Sequence, residues 1–138
     1  VENLARKTRK FLEDNCKELD LHIISRFPTN SCETTSLLLG KIISDKYPNK
    51  EVLFVKGTNS KKYEMHFWVE VDDYTFDITA DQFPEMKAPL FGESSKVMLK
   101  RFDSLETMTI HQALIENDFA NTKVDQFNSI SAIVRNEI

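Results

Sequence analysis

Glycine and proline are scarce in this chain, at 3 and 4 of 138 residues. That leaves no room for a long flexible linker, and no low-complexity run or internal repeat interrupts the sequence. The 2 cysteines are too few for a disulfide framework, so Cys16 and Cys32 read as free thiols. No apolar run reaches the roughly 20 residues that a membrane helix needs. The first residues are charged, with no apolar signal core. A net charge of -4 and an isoelectric point near 5.4 argue against a nucleic-acid binder. Glycine-rich phosphate loops, His-Glu-x-x-His and Cys-x-x-Cys are all missing, so no metal and no cofactor is expected. Asp72, Asp73, Asp77 and Asp81 lack the spacing of an EF-hand. A single domain over residues 1–138, located in the cytoplasm, is the expectation that remains.

What the chain does contain is a loop running into an apolar helix with a cysteine at the junction. Pro28, Thr29, Asn30 and Ser31 mark the loop, and Leu37, Leu38, Ile42 and Ile43 mark the helix. Ser31 is the natural N-cap, and Pro48 ends the helix near Tyr47. Cys32 then lies in the first turn, where unpaired N–H groups and the helix dipole favour a nucleophilic sulfur. Cys16, in the middle of an amphipathic helix over Glu2–Leu19, gains nothing from such a dipole and reads as a small buried side chain. Gly40 inside the second helix costs about 1 kcal/mol relative to alanine, which predicts a close backbone approach there.

A cysteine nucleophile needs a base and a group to orient it. Tyr63 to Ala80 reads as a β-hairpin turning at Asp72-Asp73. With those two residues as the turn, Trp68 faces Asp77 and His66 faces Thr79. His66, Trp68 and Asp77 then share one face, with Asp77 diagonal to His66 and within hydrogen-bonding reach. A turn one residue longer would move Asp77 to the other face. Met65, Phe67, Val69 and Val71 form the aliphatic face, which leaves His66 on the more polar one beside an indole that shields it.

Elsewhere, Glu51–Gly57 reads as a strand, Glu85–Ser95 as an irregular connection, and Lys96–Phe102 as an edge strand. From Ser104 onward Leu105, Met108, Ala113, Leu114 and Ile115, then Val124, Phe127, Ile130, Ile133 and Val134, recur at helical spacing. His22 and His111 read as structural or surface histidines, and Arg26 as a surface residue.

The order of Cys at a helix start, His on a following strand and Asp on the next, with His66-Phe67-Trp68-Val69-Glu70-Val71 and Phe76-Asp77-Ile78-Thr79-Ala80-Asp81-Gln82-Phe83, resembles the transglutaminase-like branch of the papain-like cysteine hydrolases, in particular its small bacterial members. The likeness covers residues 26 to 83. It implies an α+β domain with N-terminal helices, a nucleophile-bearing helix packed on an antiparallel sheet, and C-terminal helices. It further implies Cys32 as nucleophile, His66 as base and later acid, and Asp77 as orienting carboxylate, in an acyl-transfer enzyme acting on a carboxamide or peptide bond. Protease, amidase, deamidase and transglutaminase chemistry are all compatible with it. Glu33 directly after the nucleophile, the absence of an upstream Gln and the bulk of Phe67 depart from the family pattern. Asn30, with the Cys32 backbone N–H, is then the candidate oxyanion donor, and Trp68 and Gln82 are candidate substrate contacts. Those departures favour the other reading kept open, an inactive binding or immunity-type protein of the same fold. The partner in either case is a protein or peptide, with no nucleic acid and no membrane.

Overall fold

Leu37, Leu38, Leu39, Ile42 and Ile43 make the helix Cys32–Lys46 (α2) apolar on more than one side, and all five are fully buried. A helix of that pattern can only be central. The computed structural model describes residues 1–15, 32–83, 85–86, 88–116 and 124–136. In it α2 packs on a sheet and on three further helices, α1 (Glu2–Asn15), α3 (Ile110–Glu116) and α4 (Val124–Asn136). Each buried Leu or Ile contributes roughly 1.5–3 kcal/mol, which outweighs the helix penalty of Gly40. The close approach expected at Gly40 is there: a Cβ on it would lie 2.4 Å from Cδ1 of Ile110 on α3. α1 turns Leu4, Ala5, Thr8 and Leu12 inward, as its amphipathic pattern requires.

The sheet has five strands, β1 (Val52–Asn59), β2 (Glu64–Val71), β3 (Tyr74–Asp77), β4 (Leu90–Ser94) and β5 (Ser104–Thr109), in the order β4-β3-β2-β1-β5. All neighbours run antiparallel. Val71 pairs with Tyr74 across a turn made by Asp72 and Asp73, whose φ angles of 54° and 67° are left-handed. This is the register that the two-residue turn predicts, and the mirror-image turn suits the twist of the strands. One face of the sheet carries Phe54, Val69, Val71 and Phe76 into the main core beneath α2. On the other, Val55 and Trp68 meet Phe83, Met98 and Phe102 in a second core.

Three expectations for the second half of the chain fail. Lys96–Phe102 is no edge strand: Ser95–Lys100 is a 3-10 helix. A strand would have placed Lys100 on the same face as Met98 and Phe102, whereas the helical turn buries Met98 and Phe102 together and leaves Lys100 exposed. Glu85–Ser95 is not wholly irregular, because β4 forms from Leu90 and pairs with β3. Ser104–Thr109 is not helical but supplies β5, which caps the free edge of β1. Helix begins only at Ile110.

Candidate active site

The ladder between β2 and β3 ends at Val69–Phe76, so the His66 end of β2 has no strand partner on that side. There α2 takes over. The Ser36 hydroxyl donates to the Phe67 carbonyl at 3.0 Å, tying the helix to the residue next to His66. Cys32 lies one turn before Ser36 on the same side of α2, which brings it to the histidine. Cys32 is close enough to His66 to help hold its proton.

On its other side the imidazole meets Asp77, with Nε2 2.6 Å from Oδ2. The remaining ring nitrogen, Nδ1, is free of Asp77. Asp77 is itself held: its Oδ1 accepts from the Thr79 backbone N–H at 3.1 Å and from the Thr79 hydroxyl at 3.2 Å. These bonds curl the chain after β3 into the short 3-10 turn Ala80–Gln82. His66 and Asp77 are both 1% exposed, while Cys32 is half-buried. A reagent therefore meets the sulfur first.

Burial alone would discharge His66. The carboxylate of Asp77 and the contact with Cys32 outweigh that desolvation and raise its pKa to about 9. Aromatic rings surround the imidazole, with Phe83 edge-on at 4.6 Å, Phe102 stacked at 5.9 Å and Trp68 at 5.9 Å between centroids. The stacked face of Phe102 suits a cation, and the three rings together keep water out. Trp68 is thus a wall of the histidine's pocket, and the face that looked polar in the sequence is covered by the second core. Its indole N–H points toward Glu70 at 3.4 Å, and burial raises the pKa of that carboxyl.

Gln82 comes to the same place. Its Nε2 lies 3.5 Å from His66 Nδ1 and donates to the Thr79 carbonyl at 3.1 Å. Asn30, Ser31, Cys16, His22 and Arg26 lie outside the described residues. His111 is remote from this cluster, near the Ser44 hydroxyl at 3.3 Å.

Two positions that the sequence did not single out support the site. Arg9 on α1 makes a two-pronged ion pair with Asp81, both bonds 2.8 Å, and donates to the Ile78 carbonyl at 2.6 Å. It clamps the turn that follows Asp77. Gly57 on β1 pairs with His66, and a Cβ there would lie 2.4 Å from the indole of Trp68. No local pattern marks either residue, since Arg9 and Asp81 are 72 positions apart. No family model, curated protein or solved structure matches this chain.

Proposed function

We propose that this chain is a cysteine-dependent acyl-transfer enzyme of papain-like, transglutaminase-like type acting on a carboxamide or peptide bond. The observation that carries the reading is a buried imidazole bonded to Asp77 through Nε2, with Cys32 near enough to favour its cationic form. In this reaction Cys32 Sγ attacks the carbonyl carbon while the proton from sulfur resides on His66 Nδ1. A carbon–sulfur bond forms and the carbonyl oxygen takes up negative charge. His66 then delivers the proton to the leaving nitrogen as the carbon–nitrogen bond breaks, and ammonia or an amine departs. Water or a second amine, deprotonated by His66, resolves the thioester and regenerates the thiol.

Asp77 fixes the tautomer and orientation of the ring and stabilises its cationic form. The backbone N–H of Cys32, at the unpaired start of α2, and the amide of Gln82 are the donors proposed for the oxyanion. A free reactive thiol suits a reducing compartment, so the cytoplasm is the proposed location. Among the described residues no helix is long and apolar enough to cross a membrane.

The test is the rate of iodoacetamide labelling of Cys32 near neutral pH, read by peptide mass spectrometry so that Cys16 is counted separately. Labelling should slow at least about tenfold in His66→Ala, as loss of a general-base partner of this kind does. Glutamine peptides should release ammonia with the wild type and not with Cys32→Ser. Equal labelling rates in wild type and His66→Ala, with no ammonia release, would leave the binding or immunity-type reading in its place.

A further inference from the structure

Arg101 links the pocket of His66 to an open groove. Its guanidinium lies 4.1 Å from the centroid of the Phe83 ring, the ring that meets the imidazole edge-on. It also bonds both carboxylate oxygens of Glu64, at 2.7 and 2.8 Å, and pairs with Glu85. The groove encloses about 560 Å³ and is lined by Asn59, Lys62, Met86, Val97, Lys100 and Arg101, along with Glu85. It sits at the end of the β1–β2 ladder that holds the Gly57–His66 and Asn59–Glu64 pairs.

The wall of this groove is already closed by its own hydrogen bonds. Asn59 donates through Nδ2 to the Arg101 carbonyl at 2.8 Å, and its Oδ1 accepts from the Lys62 backbone N–H at 3.2 Å. The nearby carboxylates are engaged too, Glu64 and Glu85 by Arg101 and Asp103 by the Ser60 hydroxyl and N–H. By contrast, the ammonium groups of Lys62 and Lys100 have no ion-pair partner among the described residues. Lys62 feels Glu64 only through the longer-range field. A second depression of about 230 Å³ shares Asn59, Lys100 and Arg101 and adds Lys61 and Leu99. A chain that is acidic as a whole therefore presents lysines outside any ion pair among the described residues at this end, beside the half-buried apolar side chains of Met86 and Val97.

Next to Lys62, Tyr63 adopts a left-handed φ of 52° with its side chain 96% exposed. That conformation costs a bulky residue about 1–2 kcal/mol, yet the bonds of Asn59 and Ser60 hold the turn in it. Leu99, 54% exposed, adds a second apolar side chain to the rim.

A cationic rim over an apolar floor suits a ligand with carboxylates on either side of an aliphatic side chain. Polyphosphates suit it less. The one guanidinium fork here is spent on Glu64, so no free fork is left to grip a phosphate. We propose that this groove docks an acidic peptide segment carrying an aliphatic residue, behind the Phe83 wall of the His66 pocket. It stands on the groove itself and holds whether or not Cys32 turns over substrate.

The experiment is fluorescence anisotropy on the intact chain. The probes are labelled heptapeptides with Glu or Asp around a central Leu, Ile or Val, their lysine-for-glutamate counterparts, and a thymidine oligonucleotide. Acidic peptides should bind saturably, weaken with salt, and lose at least about tenfold in affinity in the double variant Lys62→Glu with Lys100→Glu. Val97→Ser should weaken the same peptides while leaving their salt dependence unchanged. Labelling of Cys32 by iodoacetamide at the wild-type rate in these variants shows that the fold is kept. The proposal is overturned if no acidic peptide binds saturably at millimolar concentration, if the lysine counterparts bind as well, or if the charge reversals change nothing. Tighter binding of the oligonucleotide than of any peptide also overturns it and makes the groove a nucleic-acid surface.

Discussion

His66 Nε2 lies 2.6 Å from Asp77 Oδ2, and the two side chains are 1% and 0% exposed. The histidine is held as a cation, with a pKa raised to about 9 because Asp77 and Cys32 together outweigh the cost of burial. In the unfolded chain the same ring titrates near 6.5. Its contribution to stability is therefore complete below about pH 6.5 and is lost as the pH rises through about 9. The difference between those two values corresponds to roughly 3 kcal/mol. Urea unfolding of the wild type and of His66→Gln between those limits should show the wild type losing that margin as the pH rises. A margin that grows with pH would mean that the ring is buried neutral.

Asp77→Asn keeps the shape of the side chain and removes its charge. Without the carboxylate, desolvation is opposed only by Cys32, so the His66 titration followed by NMR should move well below 9. Turnover of a glutamine peptide should fall by roughly 10²–10⁴-fold, the range spanned by acid–base partners. An unchanged His66 titration would detach Asp77 from the ring in solution.

The hairpin that carries these residues was legible because its turn is chemically marked. Asp72 and Asp73 tolerate left-handed dihedrals, and with the turn placed there the alternation of Met65, Phe67, Val69 and Val71 fixes every facing. The lid over His66 was not legible. Met98 and Phe102 fit a strand and a helical turn equally well in sequence, and only their shared burial against Trp68 decides for the turn. Leu105 and Met108, both in β5, matched a helical spacing only in a run that continues into Ala113 and Leu114 of the following helix. Leu105 turned out to be 36% exposed, in a strand held by main-chain pairing to β1 rather than by an apolar face. Contacts such as Arg101 with Glu64 and Arg9 with Asp81 join side chains brought together only by the finished fold.

Arg9 and Asp81 are 13% and 21% exposed, so their paired bonds are largely shielded from solvent. Burial disfavours the guanidinium, but its bonds to Asp81 and Glu13 more than offset this and raise its pKa. Arg9→Ala strands Asp81 and the Ile78 carbonyl, at a cost of about 2 kcal/mol of unfolding free energy, read from the shift of the denaturant midpoint. It should also lower the His66 titration, because the turn it anchors presents Thr79 to Asp77. Arg9→Lys cannot supply the two-pronged geometry and should recover only part of the loss. If stability falls while the His66 titration stays put, Arg9 holds α1 to the sheet without positioning the carboxylate.

Gly57 and Gly40 both lie where a Cβ has no space, yet their substitutions should differ. At Gly57 the new carbon would meet Trp68 at 2.4 and 2.6 Å and Phe102 at 2.9 Å, two rigid rings in the wall around His66. At Gly40 it would meet the tip of Ile110 at 2.4 Å, an aliphatic chain able to change rotamer, and alanine would return about 1 kcal/mol of helix propensity. Gly57→Ala should therefore cost about 1–3 kcal/mol, as overpacking does, and Gly40→Ala distinctly less. The decisive readout is Cys32 labelling by iodoacetamide. Displacing Trp68 and Phe102 opens the imidazole to water, so labelling should slow in Gly57→Ala and stay unchanged in Gly40→Ala at matched stability. The reverse order would show that α2 packing, rather than the aromatic wall, holds the cysteine and histidine together.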